Sequence, residues 1–265
     1  MDFPTVTVTD GAGFRLLVDA QAPDPISMAL RRRDPWPKRG LKRLLHWPQP
    51  SQVPHYSLLQ SLLKPGARVL DLGAHIGLVS LAAAQLGCEV LAVEACPRNA
   101  ALLRASADRN GFERLRVVHA AVTDHSGTLS FSPHGPFGHV YSPVTDMTAI
   151  EVPAVRGDDL LAETGWESVD FIKLDVEGSE IAALRGLESL LSRPDAPPIL
   201  YELNRSTLDF YGHEPQDLWD CLSSFGYQHR TAEAPHEHRH ACPLLPKEAP
   251  ADFLAMKGSA FNSMQ

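Results

Sequence analysis

Residues 68–94 read RVLDLGAHIGLVSLAAAQLGCEVLAVE and carry the clearest structural signal in the chain. A short apolar run at 69–72 ends at a glycine turn, an apolar segment at 76–86 has the composition of a helix, and a second apolar run follows at 89–93. Short apolar strands that alternate with helices of about 10–15 residues are typical of β-α-β units, in which the strands are parallel. This stretch therefore predicts the beginning of a parallel sheet.

The same alternation continues toward the C-terminus. Hydrophobic patterns predict helices at 97–110, 178–191 and 215–225, and strands at 115–119, 169–174, 199–203, 227–229 and 253–256. A predicted strand pair at 129–131 and 150–152 interrupts the alternation. Because crossover connections between parallel strands are right-handed, helices are expected on both faces of the sheet. The fold class predicted from the pattern is α/β.

The N-terminal region has a different character. Residues 5–19 alternate around Asp10-Gly11-Ala12-Gly13, which predicts a hairpin, and residues 20–55 contain seven prolines. We therefore expect an N-terminal hairpin and proline-rich basic extension at 1–55, followed by the main domain at 56–265.

Composition excludes several classes of protein. With 265 residues, 44% hydrophobic and 21% charged, the chain resembles an ordinary globular protein and not a disordered, fibrous or coiled-coil one. No apolar run approaches the roughly 18 residues that a membrane span needs, and the N-terminus has no basic, apolar leader. The four cysteines form no Cys-x-x-Cys pair and are expected to be free thiols. We expect a cytoplasmic protein without a membrane span.

Charge is distributed unevenly. The net charge is −8, yet residues 31–43 hold seven basic residues and only Asp34 opposes them. Together with Trp36 and Trp47, this segment suggests an alternative function, an RNA methyltransferase or nucleic-acid-binding module. The acidic remainder argues against a nucleic-acid partner. A solvated segment, or one that holds a phosphate-bearing or carrier-bound substrate, is the preferred interpretation.

The first motif with chemical content is DLGAHIG at 71–77, at the end of a strand and the start of a helix. In open α/β sheets ligands bind at such turns. The glycines do not have the dinucleotide spacing G-x-G-x-x-G, and Asp71 would repel a pyrophosphate. A cationic cofactor with an amino-acid tail suits this carboxylate better. Glu94, 23 residues after Asp71 at the next strand end, can accept hydrogen bonds from ribose hydroxyls. The motif predicts S-adenosylmethionine.

Two further motifs place polar residues at neighbouring strand ends. Asp175 follows the strand in DFIKLDVEGSE (170–180), while Glu177 and Glu180 belong to the turn and the start of the next helix. Glu202 and Asn204 lie two residues apart at the end of the next strand, so they share one face. Asp175, Glu202 and Asn204 form an oxygen-only set that would suit Mg²⁺. A polar substrate pocket without a metal explains the same three residues equally well.

The sequences DLGAHIG (71–77), HAAVTDHSG (119–127) and DFIKLDVEGSEIAALRGLE (170–188) together resemble the FkbM family of methyltransferases. The resemblance extends from about residue 68 to about residue 230. It implies a class I methyltransferase (Rossmann-like) fold with a seven-stranded, mostly parallel sheet whose last strand is antiparallel. It also implies O-methylation of a hydroxyl on a sugar, glycoside, glycolipid or polyketide-type natural product.

The resemblance also assigns residues to the cofactor. The turn at 71–77 would surround the methionine part, Glu94 the ribose, and Cys96 with the 120–121 turn the adenine. His75 stands where similar proteins usually carry Asn, and it would either replace that amide or add a titratable group. The full predicted cofactor-binding set is Asp71, Gly73, Ala74, His75, Gly77, Glu94, Ala95, Cys96, Ala120, Ala121 and Asp175.

For catalysis, the hydroxyl must lose its proton as it attacks the methyl group, because its pKa is about 15. We predict Asp175 as the central residue, either as base or as metal ligand, with Glu202 and Asn204 orienting the hydroxyl and His75 beside the cofactor. Histidines at 134 and 139 and Tyr141 lie in a loop that could cover the site. The cluster His236 to Cys242 allows a zinc interpretation, although an exposed loop is preferred. The sequence identifies neither the acceptor nor the oligomeric state.

Overall fold

A computed structural model describes residues 3–21, 30, 53–133, 139–140, 149–246 and 250–258; at 139–140 it describes the backbone only. Its strands are β1 (Thr5–Thr9), β2 (Arg15–Asp19), β3 (Arg68–Leu72), β4 (Glu89–Glu94), β5 (Leu115–His119), β6 (Ala121–Thr123), β7 (Gly127–Ser132), β8 (His139–Val140), β9 (Ile150–Arg156), β10 (Phe171–Leu174), β11 (Ile199–Leu203), β12 (Tyr227–Thr231), β13 (His238–Arg239) and β14 (Ala251–Lys257). Its helices are α1 (Tyr56–Leu62), α2 (Leu78–Gln85), α3 (Pro97–Asn110), α4 (Gly157–Thr164), α5 (Glu180–Gly186), α6 (Glu188–Leu191), α7 (Arg205–Phe210) and α8 (Pro215–Ser224).

The large sheet has the strand order β13-β12-β14-β11-β10-β3-β4-β5. Strands β5, β4, β3, β10 and β11 are parallel, while β14 is antiparallel to both of its neighbours, β11 and β12. This confirms the predicted class I fold with an antiparallel last strand. The sheet has one strand more than predicted, because the two-residue β13 pairs with β12 at the edge. The chain order reverses between β3 and β10, where ligands bind in such sheets.

Two hydrophobic layers cover the sheet. Leu70, Ile172 and Tyr201 face a layer that includes side chains of α4 to α8. Val69, Phe171 and Leu200 face the other layer, which includes α1 to α3 and the N-terminal hairpin. Because alternate residues of each strand enter opposite layers, the strands are apolar throughout, as expected of a parallel sheet covered on both sides.

The predicted N-terminal hairpin is present as β1 and β2, and it is anchored on α3. The Leu17 amide donates to Ser106 Oγ at 2.9 Å, and Asn110 exchanges two hydrogen bonds with the backbone of Arg15. Arg98 of α3 forms an ion pair with the buried carboxylate of Asp19. The hairpin thus packs into the same hydrophobic layer as α1 to α3.

The interruption predicted at 126–156 is a second, four-stranded sheet of order β6-β9-β7-β8. The predicted strand pair is confirmed, since β7 and β9 are antiparallel with Ser130 opposite Glu151. The short β6, parallel to β9, was not predicted. Helix α7 was also missed, although the Asn204 side chain accepts from the Ser206 amide, as expected of a helix N-cap.

Several predictions fall on residues that the structure does not describe. These are the basic segment 31–43, which contains Trp36, and also Trp47, His134, the side chain of His139, and Tyr141. Among the described helices, none is long and apolar enough to cross a bilayer.

One buried cluster predicts a dependence of stability on pH. His229 accepts or donates hydrogen bonds at both ring nitrogens, to Tyr201 at 2.8 Å and Ser223 at 3.1 Å, and it stacks on Trp219. Burial lowers its pKa to about 4. The unfolded chain therefore binds a proton between pH 6.5 and 4 that the folded protein excludes, so this group costs up to about 3 kcal/mol of stability as the pH falls through that range.

His229→Gln, which keeps hydrogen-bonding capacity without titrating, is expected to remove this dependence. Urea unfolding of both proteins from pH 7 to 4 measures it, because the contributions of other titrating groups cancel in the difference. Parallel pH profiles for the two proteins would contradict the prediction.

Candidate active site

The predicted turn at 73–77 lies at the point where β3 and β10 separate. The amides of Gly73 and Ala74 donate to Val93 O, at 2.9 and 3.0 Å, which fixes the turn against β4. A Cβ at Gly73, whose φ is +78°, would lie 1.8 Å from the carbonyl oxygen of Asp175. Only glycine permits so close an approach of the β3 turn to the end of β10.

Glu94 holds this turn from the end of β4. Its Oε2 accepts from the His75 amide and its Oε1 from the Cys96 amide, both at 2.8 Å. Burial raises the pKa of Glu94 to about 7, although these hydrogen bonds lower it. Asn99 Nδ2 also donates to Glu94 Oε1, at 3.5 Å. A carboxylate has about four acceptor positions, so one remains for a ribose hydroxyl.

Asp71 is less accessible than its predicted role requires. Its side chain is 1% exposed and accepts a 2.5 Å hydrogen bond from Ser80 of α2. Burial raises its pKa, while Ser80 and Lys173 lower it. This residue can therefore influence a bound cation through its charge, while its hydrogen bond fixes the start of α2.

The residues predicted to flank the adenine are apolar and buried. Cys96 and Ala121 pack in a small cluster with Phe131 and Val152, and Ala95 lies against it. Ala120 is buried beside them in sequence. Burial raises the pKa of the Cys96 thiol, which keeps it neutral. An apolar wall next to the Glu94 carboxylate is a suitable environment for a nucleoside.

Five charged residues, which we call the polar row, lie on one face at the carboxyl edge of the parallel strands: Asp71, Lys173, Asp175, Glu202 and Asp252. Asp71 and Lys173 are register partners, as are Glu202 and Asp252. Paired residues of adjacent strands, and residues two apart, share a face. The row thus crosses four strands, β3, β10, β11 and β14.

Lys173 was not singled out by the sequence reasoning, because it lies within an apolar strand. Its side chain is 8% exposed and its Nζ lies 2.8 Å from Asp175 Oδ2. Burial lowers its pKa, but Asp175, Asp71 and Asp252 outweigh this and raise it. Lys173 therefore stays charged and compensates the carboxylates of the polar row.

The turn after β10 adds two acids, the partly buried Glu177 and the buried Glu180. Glu177 has a φ of +53°, and its Oε2 has no hydrogen-bond partner among the described residues. Burial, with the charges of Asp175, Glu202 and Glu180, raises its pKa to about 9. Glu180 Oε1 accepts from the amides of Val176 and Gly178, and burial raises its pKa to about 7. Glu177 is therefore neutral at pH 7.

The structure does not support the predicted Mg²⁺ site at Asp175, Glu202 and Asn204. The only side-chain oxygen of Asn204 accepts from the Ser206 amide, and its Nδ2 donates to Glu202 Oε2 at 3.2 Å. Asp175 is paired with an ammonium group. Within the described residues no group of three His, Cys, Asp or Glu is arranged to hold a metal, and these residues include the whole histidine cluster at 236–242. The three residues do meet as a polar set at one edge of the sheet.

His55 reaches the polar row from the segment before α1. Its Nε2 lies 2.7 Å from Asp252 Oδ2, and its φ is +52°. The described residues other than glycine that have positive φ are His55, His75 and Glu177. All three lie at this edge of the sheet. Strained backbone is concentrated at functional sites, which supports this edge as the active site.

A second concavity lies elsewhere. A groove of about 870 Å³ runs between α5 and α8 on the other layer, lined by residues that include Arg156, Arg185, Asp217, Asp220 and Cys221. None of the predicted site residues lines it.

Comparison with known proteins gives concordant matches. The family model described as the methyltransferase FkbM domain matches residues 71–229, more than half of the chain. The chain is 28% identical over 166 residues to 2-O-methyltransferase NoeI of Sinorhizobium fredii, covering 55% of this chain and 68% of that protein. It is 32% identical over 160 residues to 31-O-demethyl-FK506 methyltransferase FkbM of Streptomyces tacrolimicus, covering 48% of this chain and 61% of that protein. The chain therefore spans less than two thirds of the second relative.

Among solved structures, a precorrin-6y C5,15-methyltransferase from Geobacter metallireducens matches with a TM-score of 0.47 and 14% identity, over 77% of this chain and 87% of that one.

Proposed function

The chain belongs to the FkbM family of S-adenosylmethionine-dependent methyltransferases, and from this premise we propose that it methylates a hydroxyl oxygen of a sugar, glycoside or polyketide-type product, free or carrier-bound. The names of the two relatives support oxygen as the acceptor, since one denotes a 2-O-methyltransferase and the other a methyltransferase of a 31-O-demethyl compound.

One observation carries the proposal: the polar row lies directly beside the turn at 73–77. Gly73 packs against the carbonyl of Asp175, so the turn and the carboxylate end of β10 are in contact. Glu202, on the neighbouring β11, faces the same side. A group held by the turn would therefore adjoin side chains that accept hydrogen bonds, which is what an attacking hydroxyl requires.

The residues present fit the cofactor. Glu94 would hold the ribose, with Ala95, Cys96, Ala120 and Ala121 around the adenine. Gly73, Ala74, His75 and Gly77 would border the methionine part, and the charges of Asp71 and Asp175 would favour the sulfonium. When bound, S-adenosylmethionine supplies the electrophilic methyl group.

The chain's own residues position the acceptor. The Asp175 carboxylate is fixed by the ammonium of Lys173 and is about one-third exposed, so it can accept a hydroxyl hydrogen bond. Glu202, whose pKa burial and the Asp175 charge raise to about 7, is oriented by Asn204. Methyl transfer between oxygen and sulfur is an in-line displacement, so much of the rate enhancement comes from this positioning.

Calorimetric titration with S-adenosylhomocysteine tests the proposal. Binding is expected, and its affinity is expected to fall below pH 7, because Glu94 then gains a proton and loses acceptor capacity. Glu94→Gln should weaken binding by about 10–100-fold at pH 8 and flatten the pH dependence. Failure of the unmodified protein to bind would contradict the proposed function.

Glu89→Gln is the matched control. Glu89 lies at the opposite end of β4 and pairs there with Arg68 and Arg114, so its removal should leave the affinity unchanged. Equal weakening by both substitutions would contradict the assignment of Glu94.

A further inference from the structure

His55 and Asp252 form a pair of the kind that enzymes use to move protons. The Asp252 carboxylate accepts from Nε2–H of His55, and this hydrogen bond sets the tautomer in which Nδ1 carries the lone pair. Among the described residues, Nδ1 of His55 has no hydrogen-bond partner. The side chain of His55 is 15% exposed, so a small molecule at the surface of the site can reach it.

The position of the pair places it at the acceptor side. Asp252 is the register partner of Glu202 across β11 and β14. Both residues belong to the polar row, whose other end adjoins the turn at 73–77. His55 also keeps a left-handed backbone conformation, which a residue other than glycine adopts at a cost of about 1–3 kcal/mol. A helix start has no need of this conformation.

We propose that His55, oriented by Asp252, is the base that takes the proton of the acceptor hydroxyl. This inference rests on the proposed function, because it assumes that a hydroxyl is methylated at this edge. It extends the catalytic set into a segment for which the sequence suggested only an extension.

The acceptor oxygen forms a bond to the methyl carbon as the carbon–sulfur bond breaks, and the electron pair of that bond stays on sulfur. The hydroxyl proton passes to Nδ1 of His55. The imidazolium is stabilised by Asp252 and returns its proton to water when the products leave. No oxidant, reductant or metal is needed.

The charges around His55 suit this role. The hydrogen bond to Asp252 raises its pKa above 6.5, burial lowers it, Asp252 and Glu233 raise it by their charges, and Lys173 lowers it. The imidazole is therefore a stronger base than a free histidine. The charge of Asp252 also raises the pKa of Glu202, its register partner.

A test that needs no acceptor compares the affinities of S-adenosylmethionine and S-adenosylhomocysteine from pH 5.5 to 8.5. The two differ by one positive charge at sulfur. A base that contacts the acceptor oxygen lies within about 7 Å of that charge. Its protonation should therefore weaken the binding of S-adenosylmethionine, relative to that of S-adenosylhomocysteine, by about threefold or more. The ratio of the two dissociation constants should therefore rise as the pH falls.

Three variants test whether His55 causes the change in this ratio with pH. His55→Asn, which tolerates positive φ, should reduce its rise at low pH by about threefold or more. Asp252→Asn should shift the rise to lower pH, because the pKa of His55 then falls. His125→Asn is the matched control, since His125 pairs with Asp124 at 2.8 Å on an exposed turn, and it should change nothing.

The outcomes separate the two proposals. If neither compound binds the unmodified protein, the proposed function fails and this inference fails with it. If both bind and His55→Asn leaves the ratio profile unchanged, the proposed function stands and His55 is not the base. A shift caused equally by His125→Asn would also overturn the assignment. Once an acceptor is found, His55→Asn should lower kcat by about 10²–10⁴-fold with little change in cofactor affinity.

Discussion

Lys173→Met is expected to lower the free energy of unfolding at pH 7 by about 3 kcal/mol and to abolish detectable methyl transfer. Methionine fills a similar volume but leaves the carboxylates of Asp71, Asp175 and Glu202 without the ammonium that compensates them. Removing one partner of a buried ion pair is costly because the other charge stays desolvated. Urea unfolding measures the change in stability.

The pH dependence identifies the cause. Lys173 lowers the pKa values of Asp71, Glu177 and Glu202, so its loss raises them further in the folded protein. The folded variant then holds extra protons that the unfolded chain releases as the pH rises. The difference in unfolding free energy between the unmodified protein and the less stable variant should therefore grow from pH 4.5 to pH 8.

Lys257→Met is the control for loss of a buried lysine. Lys257 is on the same sheet, 9% exposed, and its ammonium lies over the ring of Tyr227. We expect a cost of about 1 kcal/mol that is the same at pH 4.5 and pH 8. If Lys173→Met showed no greater pH dependence than this control, Lys173 would not be the counter-charge of the polar row.

Gly73→Ala is expected to weaken S-adenosylhomocysteine binding by about 100-fold and to lower the free energy of unfolding by about 4 kcal/mol. The new Cβ would lie 1.8 Å from a backbone oxygen of Asp175, and φ at this position is +78°. The turn must therefore move away from β10, and displacement of a binding loop by about 1 Å has effects of this size. Calorimetry and urea unfolding measure the two changes.

Gly111→Ala separates the two causes. Gly111 ends α3 with a φ of +71°, but nothing lies within 4 Å of its added Cβ. This variant carries the backbone strain alone, about 1–2 kcal/mol, and should bind the ligand normally. Equal losses of unfolding free energy in the two variants would show that the close contact between the β3 turn and Asp175 does not contribute to the effect of Gly73→Ala.

The fold was largely predictable because its signals are local. Apolar strands, the glycine turn at 73–77 and helices such as α3 are each encoded within a few neighbouring residues. Strand β6 and helix α7 were missed because they have three and six residues, too few for a period to show. Asn204 could have indicated α7 as an N-cap residue.

The sequence singled out candidate site residues only at the ends of strands. Asp175 directly follows β10, while Glu94 and Glu202 lie in the last residues of β4 and β11. Lys173 was missed because its partners become neighbours only when β3, β10 and β11 pair. His55 was missed because its partner is 197 residues away in sequence. A magnesium site was inferred because a sequence shows which oxygens are near but not which donors they already serve.

The insertion of β14 between β11 and β12 has a consequence for biosynthesis. Until residues 251–257 leave the ribosome, β11 and β12 lack the strand that each needs as a neighbour, so both present open hydrogen-bonding edges. Both edges stay open to association with other unfinished chains until β14 is inserted. Asp252 belongs to β14, so the polar row is complete only after this strand has been synthesised and has paired with β11.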